Sequence, residues 1–184
     1  MPSILGGGGS RETCRQPRAN PGKDEQDKAK KMIPVSDERL FAKFEANPPA
    51  SPALIAQAQA KLSFLLPTDY VQFLQQMNGG EGSLGKAYLA LWRVEELGDR
   101  NAGYEVAEFA PGLFLFGSNG AGEAFAFDSR SDHFRIVAVP FIGMDDLRDA
   151  IVIATNFRTF LEVLYTSGIP FSGRAADIGT NGRG

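Results

Sequence analysis

The chain has 184 residues, of which 43% are hydrophobic, and a formal net charge of −3. This length fits one domain with terminal extensions, and no apolar run approaches the roughly 18 residues that a membrane-spanning helix needs. One cysteine, Cys14, and one histidine, His133, exclude an internal disulfide framework, a cysteine-based zinc site and a histidine-rich metal site. Because no signal-peptide pattern opens the chain, we expect a cytoplasmic protein.

The charge is distributed unevenly. Residues 1–31 contain seven Lys or Arg against four Asp or Glu, whereas residues 32–171 contain ten against seventeen, a balance of −7. Such an acidic unit is poorly suited to a nucleic-acid backbone and better suited to a basic partner, because complementary charge accelerates encounter.

Both ends of the chain have the composition of disordered segments. Residues 1–31 are rich in Gly, Pro, Lys, Asp and Gln, and they bury too little apolar surface to offset the entropy of ordering. We predict a disordered extension over 1–31, one domain over 32–171 and a disordered tail over 172–184. A basic arm that finds an anion, and a true translation start at Met32, are the alternatives for the first segment.

Two helices are predicted before residue 63. Ser36 caps the first, whose apolar stripe consists of Leu40, Phe41 and Phe44. Ser51-Pro52 places a cap and a proline at the preferred first positions of a second helix, which runs to about Leu62.

A third helix is predicted from Thr68, which is a suitable cap. Its buried face has the i, i+3, i+4, i+7 spacing and consists of Tyr70, Phe73, Leu74 and Met77. Asn78-Gly79-Gly80 ends it with a left-handed cap.

A central hairpin is predicted between residues 113 and 128. Leu113 to Phe116 is wholly apolar, which is typical of a strand buried on both faces. Phe125 and Phe127 share one face of the second strand, and residues 118–122 tolerate the positive φ that a chain reversal needs.

The remaining elements are short. Tyr88 to Trp92 is predicted as a strand, Val94 to Leu97 as a helical turn and residues 98–112 as a polar connection. His133 to Val139 is predicted as a further strand that Pro140 closes.

The last predicted element is a helix that begins near Thr155 or Asn156 and ends at Gly168. Ile151 to Ile153 is either a short strand or the lead-in to this helix. The residues buried by the helix are Phe157, Phe160, Leu161 and Leu164.

This order of elements predicts an α+β fold: a single domain with a mostly antiparallel mixed sheet and helices packed against it. The glycine-rich segment Gly117–Gly122 lacks the Gly-Lys-Ser/Thr ending and the following helix of a phosphate loop, so we interpret it as a turn. Glu81, Glu123 and Asp128 have no spacing that marks a metal loop or an acid–base pair, so no catalytic or metal site is predicted.

Four segments, in order, resemble the SUKH superfamily, named for the Smi and Knr regulators of fungal cell-wall synthesis and their bacterial relatives. They are Leu66 to Leu74 with Asn78-Gly79-Gly80, Leu89 to Leu97 with Asn101, Phe114 to Asp128, and Ile153 to Leu161. The resemblance covers about residues 36–167. Its recurring residues are interpreted as fold determinants: Pro67, Tyr70, Gly79, Gly80, Gly117 and Gly120.

The resemblance implies a binding module without a shared catalytic constellation. Bacterial members are widely immunity proteins that neutralise toxins, often nucleases or deaminases, which leads to the hypothesis of an immunity protein acting by occlusion. The alternative is a regulatory or scaffold domain of the Smi and Knr type. Either function needs a protein partner and no cofactor.

A toxin that acts on nucleic acid tends to be basic around its active site, so an acidic surface would suit its inhibitor. The hypothetical partner-binding residues are Glu81, Glu95, Glu96, Asp99, Glu123, Asp128, Asp145 and Asp146. Asp128 has an alternative role, accepting hydrogen bonds from amides of the turn that follows it. Trp92 is interpreted as a residue of the core or its edge, with an interface anchor as the alternative.

Overall fold

The computed structural model describes residues 39–130 and 134–168. They form one seven-stranded sheet in which each strand pairs with the next along the chain, and all pairings are antiparallel. The strands are β1 Lys43–Ala46, β2 Gly80–Leu84, β3 Ala87–Leu91, β4 Leu113–Ser118, β5 Glu123–Asp128, β6 Arg135–Pro140 and β7 Ile151–Ala154. The helices are α1 Pro52–Gln59, α2 Thr68–Leu74, α3 Leu97–Gly103, α4 Val106–Phe109 and α5 Phe157–Ser167. The α+β fold class is confirmed.

The predicted central hairpin is confirmed and occupies the middle of the sheet. β4 and β5 pair from Leu113 opposite Asp128 to Ser118 opposite Ala124, with an irregularity between Leu115 and Gly117. All residues of β5 and the first five of β4 are buried. Both faces of these strands are therefore covered.

An aromatic core covers one face of the hairpin. The rings of Phe116 and Phe127 stack at 4.2 Å between centroids, and α5 adds Phe160 edge-on at 5.5 Å from Phe116. From α2, Tyr70 contacts Phe127 at 5.2 Å and Phe157 at 4.8 Å. Edge-to-face and offset rings add to the stabilisation that burial alone provides.

The opposite face of the hairpin carries small side chains. Ala124 and Ala126 are fully buried there, and α3 and α4 pack against β4. The amide of Asn101 in α3 bonds both backbone groups of Leu115: its Nδ2 donates to the carbonyl and its Oδ1 accepts from the amide, each at 2.8 Å. Since β3 pairs with β4 only through Ala90 and Leu91, this amide replaces the missing strand neighbour.

Two of the predicted N-terminal caps are confirmed, those of α1 and α5. Ser51 accepts a hydrogen bond from the amide of Leu54, and Asn156 accepts one from Thr159. Thr68 makes no capping bond. Asp69 instead accepts from the amide of Phe157 at 2.7 Å, which joins the starts of α2 and α5.

The predicted first helix is wrong over its described part, because residues 43–46 form the edge strand β1. β2 was also missed. Its sequence contains Gly80 and Gly82, and glycine is unfavourable in strands, so the local pattern does not indicate a strand. Glycine is needed at both positions because β1 lies so close that a side chain would not fit. A Cβ on Gly80 would lie 2.7 Å from the Phe44 ring, and one on Gly82 would clash with the Lys43 carbonyl oxygen.

The prediction of a polar connection over 98–112 is also wrong, since α3 and α4 lie there. Gly98 and Gly103 are poor helix formers, and only Leu97 of α3 is buried, so the local pattern gives no helical signal. Packing against β4 therefore stabilises these helices, although their own sequence has low helix propensity.

The other predictions match with shifted ends. The second and third predicted helices end earlier, at Gln59 and Leu74. The predicted left-handed cap of the third helix is wrong, because Gln75 caps it in the right-handed region. Of the two alternatives for residues 151–154, the strand is the one that forms. Gly168 follows the last helix, whose four predicted core residues are buried. Several predictions lie outside the described residues: Cys14, Met32, Ser36, His133 and the segments 1–31 and 172–184.

Candidate functional site

Among the described residues, no helix lies over half of one sheet face. Alternating residues of β1, β2 and β3 point away from the aromatic core and form what we call the open face: Lys43, Glu45, Glu81, Ser83, Tyr88 and Ala90. Because α3 and α4 pack against β4, they bound this face on one side without covering it. Within residues 39–130 and 134–168, the open face is therefore left uncovered.

A groove of about 980 Å³ runs along the open face. Its floor includes Ala90, which lies opposite Ser118 of β4. α3 contributes Arg100 to one side, and the β4–β5 turn closes an end. The lining residues are Glu45, Ala46, Asn47, Gly80, Glu81, Tyr88, Ala90, Leu91, Trp92, Arg93, Glu96, Arg100, Ser118, Asn119, Gly120 and Ala121.

Trp92 forms one wall of the groove. The indole is only 7% exposed, and the guanidinium of Arg100 lies 4.9 Å from its ring centroid. Arg100 also donates two hydrogen bonds to Glu96 Oε2, at 2.8 and 2.9 Å. The ring of Tyr104 stacks at 6.0 Å from Trp92, which extends the aromatic surface. The prediction of Trp92 as a core-edge residue is confirmed.

Tyr88 forms the other wall. Its side chain is 44% exposed, and its ring passes over the β4–β5 turn. A Cβ on Gly120, which has φ of +68°, would lie 2.9 Å from that ring, so the turn needs glycine both for its conformation and for this contact.

Two carboxylates lie beside Tyr88. Glu45 and Glu81 are paired across β1 and β2 on the open face, and the Tyr88 hydroxyl donates to Glu81 Oε2 at 3.4 Å. Partial desolvation of the ring, followed by the charges of Glu81 and Glu45, raises the pKa of Tyr88. Neither carboxylate forms an ion pair with another residue in the described ranges.

The β4–β5 turn is held by a polar network. Asn119 Oδ1 accepts from the amides of Ala121 and Glu123, and its Nδ2 donates to Glu123 Oε2 at 2.7 Å. Glu123 is itself buried. The turn therefore presents a fixed end to the groove, and Glu123 acts inside the fold.

Asp128 is likewise internal. Its side chain is 1% exposed, and it accepts hydrogen bonds from the guanidinium groups of Arg130 and Arg135 and from the Arg130 amide. Burial alone would raise the pKa of Asp128, but the bonds and charges of the arginines outweigh it and lower the pKa below its ordinary value. The alternative role as a turn acceptor is confirmed.

The other predicted acidic residues do not form one surface. Glu81 and Glu96 line the groove, whereas Glu95 and Asp99 line a separate crevice between α1 and α3. Asp145 is exposed after β6, and Asp146 pairs with Arg148 at 2.6 Å. Glu45, assigned by sequence to a helix, and Tyr88 were missed as site residues. The alternation of Tyr88, Ala90 and Trp92 with apolar neighbours was the signal that could have identified this face.

Among the described residues, no group of three or more His, Cys, Asp or Glu side chains is arranged to hold a metal ion. No helix in the described ranges combines the length and apolarity needed to cross a bilayer.

Comparisons with known proteins agree with the resemblance drawn from the sequence. Residues 49–163 match the SMI1 / KNR4 family (SUKH-1). The uncharacterized protein YnaB of Bacillus subtilis (strain 168) is 31% identical over 123 residues, which cover 67% of this chain and 81% of YnaB. The family match includes β2, β3 and the central hairpin, whereas β1 with Glu45 precedes it. The chain belongs to the SMI1 / KNR4 family (SUKH-1).

Proposed function

We propose that the chain is a cytoplasmic, non-enzymatic immunity protein that binds a toxin through its open face and neutralises it by occlusion. The observation that carries the proposal is the groove of about 980 Å³ on a sheet half that no helix of the described residues covers. Aromatic walls with a polar rim are typical of protein recognition surfaces. Family membership supports a binding module, and a bacterial relative favours the immunity branch that the resemblance implies.

The charge of the chain supports a basic partner. Residues 32–171 have a balance of −7, so a cationic domain is drawn to this unit over several ångströms before contact. A nuclease or deaminase that binds phosphate has such a surface. Occlusion then needs no chemistry from the inhibitor.

The test uses the full chain as bait in lysates and secreted fractions of its own cells and of neighbouring strains. Capture of one basic domain that is toxic when expressed alone, and harmless when co-expressed with this chain, is the expected result. A toxin encoded immediately beside this gene would be the first domain to test. Capture of several resident proteins and no toxin would contradict immunity and favour the regulatory or scaffold alternative.

A further inference from the structure

At two places in the groove, an aromatic ring lies next to a carboxylate. An arginine of the chain binds the ring and the carboxylate at only one of these places. At the first place, Arg100 lies over the Trp92 ring at 4.9 Å and donates to Glu96 at 2.8 Å. This geometry combines cation–π attraction with charge-assisted hydrogen bonds, the two interactions that planar guanidinium groups make best.

The second place has the same chemistry with more negative charge. Tyr88 provides a half-exposed ring, Glu81 accepts from its hydroxyl, and Glu45 faces Glu81 from the neighbouring strand. Directly opposed residues on one face of an antiparallel pair have Cβ atoms about 4.5–5.5 Å apart, so one guanidinium can reach both carboxylates. No described cation of the chain does so.

Folding alone gives no reason for this arrangement. Like charges directly opposite on a sheet are destabilising, and the neighbouring pair on this face, Lys43 opposite Ser83, contains no like charges. The other cations of the groove are engaged: Arg93 donates to Asn47 at 3.0 Å, and Arg100 holds Glu96. The pair is thus complementary to a cation that the partner supplies.

We infer that the open face binds an arginine side chain, presented by a basic segment of the partner protein, between Glu45, Glu81 and the ring of Tyr88. This inference rests on the proposed function, since it names the chemistry of the partner at the same groove. The segment lies over Ala90, whose small side chain leaves room in the floor. Lysine fits less well, because an ammonium lacks the planar fork that bridges two carboxylates and stacks on a ring.

The test is a titration of the isotopically labelled full chain with N-acetyl-arginine amide, followed by amide chemical shifts. We expect saturable shifts confined to the open face and the β4–β5 turn, and their reduction by added salt. The uncharged isostere N-acetyl-citrulline amide should bind about tenfold more weakly or not at all.

Variants assign the shifts to the carboxylate pair. Glu45→Gln with Glu81→Gln should weaken binding of the arginine probe about tenfold or more. Glu105→Gln with Glu108→Gln removes the same charge at two exposed positions outside the groove and should leave binding unchanged. Absence of saturable shifts, equal binding of the citrulline probe, or unchanged binding by the Glu45/Glu81 variant would each overturn the inference.

The two proposals fail separately. If a toxin is captured and neutralised equally well by the Glu45/Glu81 variant, the immunity function stands and the arginine site is wrong. If no toxin is found but the arginine probe binds at the open face, the site stands and the immunity function is wrong.

Discussion

The two halves of one sheet face differ in what lies above them. Over β4 to β6 the inward positions are small or apolar, as at Ala124, Ala126 and Val137, and all three are buried. Over β1 to β3 the corresponding positions are polar or half-exposed, as at Glu81 and Tyr88. The backbone pairing continues across both halves, so the side chains and not the sheet determine which half becomes core.

The boundary between the halves lies where β3 separates from β4. Asn101 takes over the backbone bonds of Leu115 at that point, and this brings α3 onto the covered half. The same helix then carries Arg100 to the border of the open face, where Glu96 directly precedes its first residue. α3 thus covers the core with one side and bounds the groove with the other. Substitutions in the core should therefore affect stability, whereas substitutions in the groove should affect binding.

The largest expected difference between core and open face is in stability. Phe127→Ala, in the aromatic core, should lower the free energy of unfolding by about 3–5 kcal/mol, because it removes a fully buried ring and leaves a cavity. Tyr88→Ala on the open face should cost about 1 kcal/mol or less. Urea unfolding of both variants measures the difference. Similar losses would show that Tyr88 belongs to the core.

A second comparison concerns buried and exposed acidic groups. Asp128→Asn should cost about 1–3 kcal/mol, because two guanidinium groups lose their anion but remain about a third exposed. Asp146→Asn removes an exposed ion pair and should cost less than about 1 kcal/mol.

The pH dependence of Asp128 follows from the direction of its pKa. Its folded-state pKa lies below the ordinary value, so its contribution is fully present at neutral pH and is lost as the pH falls below about 4. The stability of Asp128→Asn should therefore depend less on pH between 4 and 2 than that of the parent. An identical acid profile would contradict the buried pairing.

The hydroxyl of Tyr70 is a polar group inside the aromatic core, and its contribution to stability can be tested. Its buried hydroxyl has no hydrogen-bond partner within the part of the chain that the structure describes, and burial raises the pKa of Tyr70 far above its ordinary value. Because the folded state holds this proton more tightly, its contribution is complete below about pH 10 and is lost as the pH rises further. Tyr70→Phe should be neutral or stabilising by about 1 kcal/mol at pH 7 and should weaken this alkaline loss. A clear destabilisation at pH 7 would reveal a bond that the hydroxyl makes.

The smallest expected effect on stability comes from the open face. Glu45→Gln with Glu81→Gln should stabilise the chain by about 0.2–1 kcal/mol, because it relieves a like-charge cross-strand pair. The effect should shrink with added salt. Thermal unfolding at low and high ionic strength measures it, and a loss of stability would mean that the pair serves the fold.

Sequence patterns predicted the covered half better than the open one. The run Leu113 to Phe116 and the helix with Phe157 and Phe160 have unambiguous periodicity, and both were placed correctly. β2 is not predicted from the sequence, because two of its residues are glycines. These glycines allow the close approach of β1, but glycine contributes nothing to the hydrophobic alternation by which a strand is recognised. α3 escaped prediction because packing on β4, and not helix propensity, stabilises it.

The site was predictable only in part, because sequence gives charge but not burial. Asp128 and Glu123 were grouped with Glu81 as surface acids, yet two of the three are internal. Glu45 was missed because its strand was assigned to a helix. Cross-strand pairing, which places Glu45 opposite Glu81, depends on a register that no local pattern contained.

The most direct test of the central claim, that the open face is the binding face, is the dissociation constant of the captured partner for two charge-matched variants of the full chain. We expect about tenfold or greater weakening for Glu45→Gln with Glu81→Gln, and little change for Glu105→Gln with Glu108→Gln, which are exposed outside the groove. Equal weakening by both pairs would mean that overall charge, and not the open face, determines binding, and would contradict the account.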